Sequence, residues 1–327
     1  MAVIDAVLRF NMSGRGDSRA AESDRYRAAI AMAEYADKAG FAVVNVEEHH
    51  DVEMGWLPSP LLLSGMIAAR TDNIVIRGSA VLGPLYDPIR LAEDIAMLDL
   101  VSRGRFLTVL GQGYRPSEYL ALDRNFDTRG VDTDFLIDTL LKAWTGEPFD
   151  YRGTTVHVSP LPYTRPHPPL YYGGMSAAAA RRAARWGLPF LPGQPMPDIE
   201  AIYIAECERL GTTARVETFT DMALLFVDPD PDAAWQELGP YFLKEVDQYA
   251  RWAKAGVQRV YDAGSGSIDA LRAAGTYEIL TPEQCLERAH SLDRPYRPIL
   301  HPMAGGLAPE RAWKCLKLFT EEVLARV

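Results

Sequence analysis

The chain has 327 residues, 48% of them hydrophobic and 24% charged, the balance expected of a globular protein. A net charge of −10 with no long basic run argues against nucleic acid or an anionic membrane surface as a partner. No apolar run approaches the roughly 20 residues a membrane helix needs, and the start MAVIDAVLRF lacks the basic and apolar regions of a signal peptide. The three scattered cysteines, Cys207, Cys285 and Cys315, make no metal-ligand spacing and suit a reducing cytoplasm, the expected location.

In chain order, strand and helix patterns alternate. Residues 3–10 read as a strand, and 11–18 as a loop containing Gly and Arg. A helix follows over 22–39, with Tyr26, Ala29, Met32, Ala33 and Ala36 near one face and Gly40 as its stop. The next strand, 42–48, runs into Glu47-Glu48-His49-His50. Ser59-Pro60 is a cap followed by proline at the first helical position, and Asp87-Pro88 repeats that device. Between these two caps lies a strand, 74–82, interrupted at Gly78-Ser79. After the second cap Leu91, Ile95 and Leu98 recur at helical spacing. A strand at 105–110 leads into Gly111-Gln112-Gly113, and 131–144 is helical. A small hairpin over 149–158 and a proline-rich stretch, 159–169, form an insertion. Strands then resume at 170–174, 188–191, 216–227 and 297–302, with helices at 176–186, 198–210, 232–254 and 309–325. Thr281 and Gln284 form a capping box, and 257–261 is a candidate ninth strand. The expected architecture is α/β: a (β/α)8 TIM barrel in one domain, 1–327, with an insertion between strands 4 and 5.

In such barrels chemistry gathers at the C-terminal ends of the strands. That rule selects Asn11, Glu48-His49-His50, Ser79-Ala80, Gly111-Gln112-Gly113 and Gly173-Gly174-Met175-Ser176. Two acids and two imidazoles at a strand's end are costly to bury without partners, so they mark a site more often than a core. Neighbouring residues on a strand face opposite ways, so one of His49 and His50 faces the mouth. The remaining histidines form no HExxH-type pair with them, which argues against a metal and for a proton-transfer or hydrogen-bonding role. Gly174, Met175 and Ser176 join a strand to an Ala-rich helix. Such a turn is either a phosphate seat at a helix N-terminus or an ordinary tight turn. Arg129 is placed to meet a phosphate or to form a surface ion pair. The chain has no GxSxG elbow and no P-loop.

Four strings together resemble the bacterial luciferase-like flavin-dependent monooxygenases. They are the E-H-H strand end (Glu48, His49, His50), PLYDPIRLAEDIAMLDLVSRGRF from Pro84 to Phe106, YYGGMSAAAARRAARWGLP, and HPMAGGLAPERAWKCLKLFTEEV. The resemblance implies a (β/α)8 barrel with reduced FMN across the strand ends, or in one branch the deazaflavin coenzyme F-420. It implies His49 as the catalytic histidine and a cis bond at Ser79-Ala80 under the flavin ring. It implies flavin contact by Gln112, and a phosphate seat from Gly174, Met175, Ser176 and Arg129. Luciferase itself carries a glutamate where this chain has Met175 and an arginine where it has Gln112, so the seat here is backbone plus Ser176. The implied activity is oxygenation of a small, mostly apolar organic substrate by O2 through a peroxyflavin, with a separate flavin reductase and a homodimeric protein. Phe10, Trp56 and Tyr114 lie near strand ends as candidate pocket walls. Hydride transfer by a deazaflavin-dependent oxidoreductase, or a non-catalytic flavin-binding subunit, are the alternatives the same resemblance leaves open.

Overall fold

The computed structural model describes residues 2–218, 220–253, 261 and 263–327. In chain order the first elements are β1 (Val7–Phe10), α1 (Arg19–Ala39), β2 (Val43–Val46), α2 (Pro60–Ala68), β3 (Val75–Leu82), α3 (Pro88–Ser102), β4 (Phe106–Gly111), α4 (Pro116–Ala121) and α5 (Arg129–Ala143). The hairpin β5 (Phe149–Tyr151) and β6 (Thr154–Val156) follows, then β7 (Leu170–Gly173), α6 (Ala177–Arg185), β8 (Phe190–Leu191) and α7 (Pro197–Leu210). The last third holds β9 (Leu224–Val227), α8 (Pro231–Ala253), α9 (Ile268–Ala274), β10 (Tyr277–Leu280), α10 (Pro282–Ser291), β11 (Ile299–Leu300) and α11 (Pro309–Glu322).

The chain divides into two compact units. One unit comprises residues 1–45, 52–57 and 220–327. Its strands run parallel in the order β10, β9, β11, β1. The strands β1, β9 and β11 are buried along their whole length, as parallel strands covered on both faces must be. That requirement explains apolar runs such as Leu224-Leu225-Phe226-Val227. Arg9 breaks the rule, since it lies in β1 and is 1% exposed. The turn at Gly14 has φ +80°, and a Cβ there would sit 2.1 Å from the Gly306 nitrogen, so only glycine fits between these two loops.

The other unit comprises residues 46–51 and 58–219. Here β3, β4, β7 and β8 pair in parallel. Their C-terminal ends therefore share one edge. The β3–β4 register runs from Ile76 opposite Phe106 to Ser79 opposite Val109, then resumes at Val81 opposite Leu110. Ala80 is the extra residue, an irregularity of the kind that re-aims a strand beside a site. Gly111 is needed on the partner strand, since a Cβ there would approach the Ala80 methyl to 2.7 Å.

Several sequence expectations hold locally. Gly40 ends α1 at φ +85°, Asp87 caps α3, and the Thr281–Gln284 capping box opens α10. Ser59 stands at the N-cap of α2, but its side chain makes no cap bond. The expected strand 216–227 is two pieces with different partners. Val216 bridges to Phe190 in the second unit, whereas 224–227 pair with β10 and β11 in the first. The strand β10 was not expected, being a four-residue run just before a strong helix cap. The candidate strand 257–261 lies outside the described residues, apart from Tyr261.

Candidate active site

The second unit carries the E-H-H edge. Glu48 is 3% exposed and both its carboxylate oxygens accept hydrogen bonds. Oε2 accepts the Leu82 N–H at 2.7 Å, from the C-terminal end of β3. Oε1 accepts the Tyr86 hydroxyl and His50 Nε2, each at 2.8 Å. The carboxylate only accepts, so His50 Nε2 carries the proton. Burial alone would lower the His50 pKa, but the hydrogen bond and charge of Glu48, with Glu118 nearby, raise it above the ordinary value. Burial and the same carboxylate push the Tyr86 phenol far up. His50 is thus a bound partner of Glu48. The Tyr114 hydroxyl lies 3.5 Å from His49 Nε2.

A second cluster braces the loop. Glu118, 1% exposed, accepts the His50 N–H at 3.0 Å, and Arg115 pairs with Glu118 at 3.1 Å. Burial raises the Glu118 carboxyl pKa, against the opposing pull of the His50 N–H and Arg115. The peptide Ser79-Ala80 is cis, as expected.

Gln112, past the end of β4, turns to the first turn of α5. Its Nε2 donates to Thr133 Oγ1 at 3.0 Å and to the Arg129 carbonyl at 3.3 Å. Arg129 folds back on its own segment, with Nη1 on the Phe126 carbonyl at 2.7 Å and the guanidinium 3.9 Å from the Phe126 ring centre. Arg182 is likewise committed. It binds Asp134 at 2.9 Å, as do Arg185 and the Trp186 indole at 2.8 Å. Burial opposes ionisation of Asp134, but these donors win and lower its pKa.

At the start of α6, Ser176 is the N-cap and its Oγ accepts the Ala179 N–H at 3.2 Å. Its own hydroxyl hydrogen remains to donate. Gly174 has φ +157°, and a Cβ there would meet the Ala179 methyl at 2.5 Å. Glycine is thus required in this turn, which stands at the positive end of a helix. Backbone N–H groups, one hydroxyl and a helix dipole form a donor set that fits a phosphate monoester such as that of FMN. Met175 lies beside the Gly193 turn rather than contributing charge.

Three of the four strings lie within a family match, and HPMAGGLAPERAWKCLKLFTEEV lies beyond its end. The profile of the luciferase-like monooxygenase family covers residues 7–295. The chain belongs to the luciferase-like monooxygenase family. Among curated relatives, the oxygenase component of flavin-dependent trigonelline monooxygenase from Acinetobacter baylyi is 26% identical over 153 residues, 45% of this chain and 42% of that protein. The chain spans about half the length of the curated relatives it matches. Among solved structures, a monooxygenase from Streptomyces bottropensis covers 99% of both chains at 21% identity and a TM-score of 0.74. The oxygenating constituent of 3,6-diketocamphane monooxygenase from Pseudomonas putida, solved with FMN, covers 100% of this chain and 99% of its own at 17% identity and a TM-score of 0.69. The α/β fold expected of the family is therefore the fold of this chain.

Sequence reasoning singled out His49, Ser79, Ala80, Gln112, Arg129 and the Gly174–Ser176 turn. It did not find Tyr86, Arg115, Glu118, Thr133 or Asp134. Of these only Arg115-Pro116 carried a local signal, a proline-marked helix start with an acid at its third position.

Proposed function

We propose that this protein is the oxygenase component of a flavin-dependent monooxygenase that uses reduced FMN and O2 to oxygenate a small organic substrate. The match of the luciferase-like family over residues 7–295 carries the reading. The turn at Gly174 to Ser176 supports it as a seat for the flavin phosphate, held by backbone N–H groups and the Ser176 hydroxyl. Gln112 and the Ser79-Ala80 backbone would meet the ring system. Reduced flavin, when bound, supplies the two electrons by which one oxygen atom of O2 enters substrate and the other leaves as water. His49, the histidine the family resemblance points to, is assigned to hold or move a proton at the reacting oxygen, while His50 is hydrogen-bonded to Glu48. Electrons reach the flavin from a separate reductase.

A homodimer in the cytoplasm completes the reading. On α2 and α3 the side chains of Leu62, Met66, Met97, Leu100 and Val101 are all exposed, an apolar surface suited to a second copy of the chain. Sedimentation reads this directly, and a monomer at micromolar concentration removes it.

The central test combines binding with isotope transfer. The protein should bind FMN, and Ser176→Ala should weaken that binding several-fold. With reduced FMN, an 18O2 atmosphere and a panel of small organic substrates, label should enter product. His49→Ala should cut turnover by at least about 100-fold. Tight binding of coenzyme F-420 without FMN, or turnover without O2, would replace oxygenation by hydride transfer. Bound flavin that no substrate or reductase turns over would make the chain a non-catalytic subunit.

A further inference from the structure

The segment after β4 reaches back to the loop that carries His49. Arg115 is the N-cap residue of α4 and Pro116 follows at the first helical position, which places Glu118 one turn on. Arg115 is 8% exposed and Glu118 1%. A buried ion pair is a weak device for stability alone, because desolvating two charges offsets most of their attraction. Besides a bond from Arg115 to Ser117 Oγ at 3.3 Å, this pair bonds three consecutive peptide groups, beginning at the His49–His50 bond. Glu118 Oε1 accepts the His50 N–H at 3.0 Å. Arg115 Nη1 donates to the His50 carbonyl at 2.6 Å, and Nη2 donates to the Asp51 carbonyl at 2.9 Å. Asp51 has φ +50°, a left-handed conformation that residues other than glycine rarely adopt. Tyr114, the residue before Arg115, is the one whose hydroxyl stands by the His49 ring.

We propose that the Arg115–Glu118 pair is a positioning device for His49, fixing where its imidazole stands in the active site. The same short segment grips the backbone on the C-terminal side of His49 and approaches its ring. Loosening the grip leaves the imidazole present but displaced. This inference rests on the proposed role of His49 in oxygen chemistry, and its test has one arm that needs no turnover.

The variants are Arg115→Lys, Arg115→Met and Glu118→Gln. In flavin-free protein labelled with 15N-histidine, the His49 ring resonances, assigned with His49→Ala, should shift in all three. With reduced FMN, kcat should fall about ten- to a hundred-fold, the scale of a misplaced catalytic group. KM for the flavin should stay within about two-fold, because the phosphate seat lies elsewhere. Arg115→Lys should retain more activity than Arg115→Met. The double variant Arg115→Met/His49→Ala should be no slower than His49→Ala, since the pair acts through that ring. Unchanged His49 resonances in folded Arg115→Lys or Glu118→Gln overturn the proposal, as do rate losses that multiply with that of His49→Ala. Shifted resonances in a protein whose native form never oxygenates substrate would instead overturn the functional reading and leave the positioning role standing.

Discussion

Two buried carboxylates, one in each unit, show how the same chemistry serves different ends. Glu48 is wrapped by Leu82, His50 and Tyr86. Glu245, 1% exposed, is wrapped by Arg9 at 3.1 Å, Asn11 at 2.9 Å, Ser13, and His301 at 3.0 Å. The Glu245 donors come from β1, the loop after it and the residue following β11, all distant in sequence from α8. His301 is gripped on both sides, by Glu245 and by the Arg9 carbonyl at 3.2 Å, and both neighbours are acceptors. That cluster is closed: it ties a helix to two strands. The Glu48 cluster is open on one side, where the His50 side chain keeps 17% exposure and His49 sits next along the chain. A saturated, sealed carboxylate fixes architecture, whereas one at a rim fixes the residue beside it.

Removing each carboxylate's partners should separate these roles. Glu245→Ala should have the largest effect, about 3–5 kcal/mol of lost stability in denaturant unfolding, because the buried Arg9 and His301 would lose their shared carboxylate. A loss under about 1 kcal/mol would mean the cluster is not a tie.

The two clusters should also divide the pH dependence. Burial would raise the Glu245 pKa, but His301, Arg9 and Ser13 outweigh it and hold the group well below the ordinary carboxylate range. Its stabilisation is full above the unfolded value of about 4.3 and is lost as pH falls below that value. His50 has the opposite sign. Its raised folded value gives stabilisation that is full below about 6.5 and is lost as pH rises through the folded value. Unfolding midpoints across pH should therefore drop at both ends. Glu245→Gln should shrink the acid limb, to which Asp134 also contributes, and His50→Asn the alkaline limb, and an exchange of those assignments would refute the comparison.

The smallest effect is expected for Tyr86→Phe. It removes one hydrogen bond to Glu48 and leaves two, for a loss of about 1.5 kcal/mol. Turnover should fall with it if Glu48 supports His49 through the loop. A stability loss with no change in rate would make the rim cluster structural as well.

Local chemistry in the sequence marked much of this protein. Proline and cap residues placed α3 and α10, apolar runs placed most parallel strands, and grouped polar residues at a strand end singled out Glu48-His49-His50. Each of those signals is decided within a few residues, so a sequence carries it openly. The grip of Arg115 and Glu118 on the His50 backbone is different, because the partners are 65 and 68 residues apart. So is the fate of Arg129 and Arg182. In the fold Arg129 is held by an aromatic ring and a nearby carbonyl, and Arg182 by Asp134. The Glu245 cluster was hidden for the same reason. A glutamate in a long amphipathic helix looks solvated until the strands that bury it are in place. The sequence alone determined the element types, the strand-end motif and the turn suited to a phosphate. Only the tertiary structure decided which charges are paired and which histidine is held in place, because a charge's partner is set by chain segments brought together in folding.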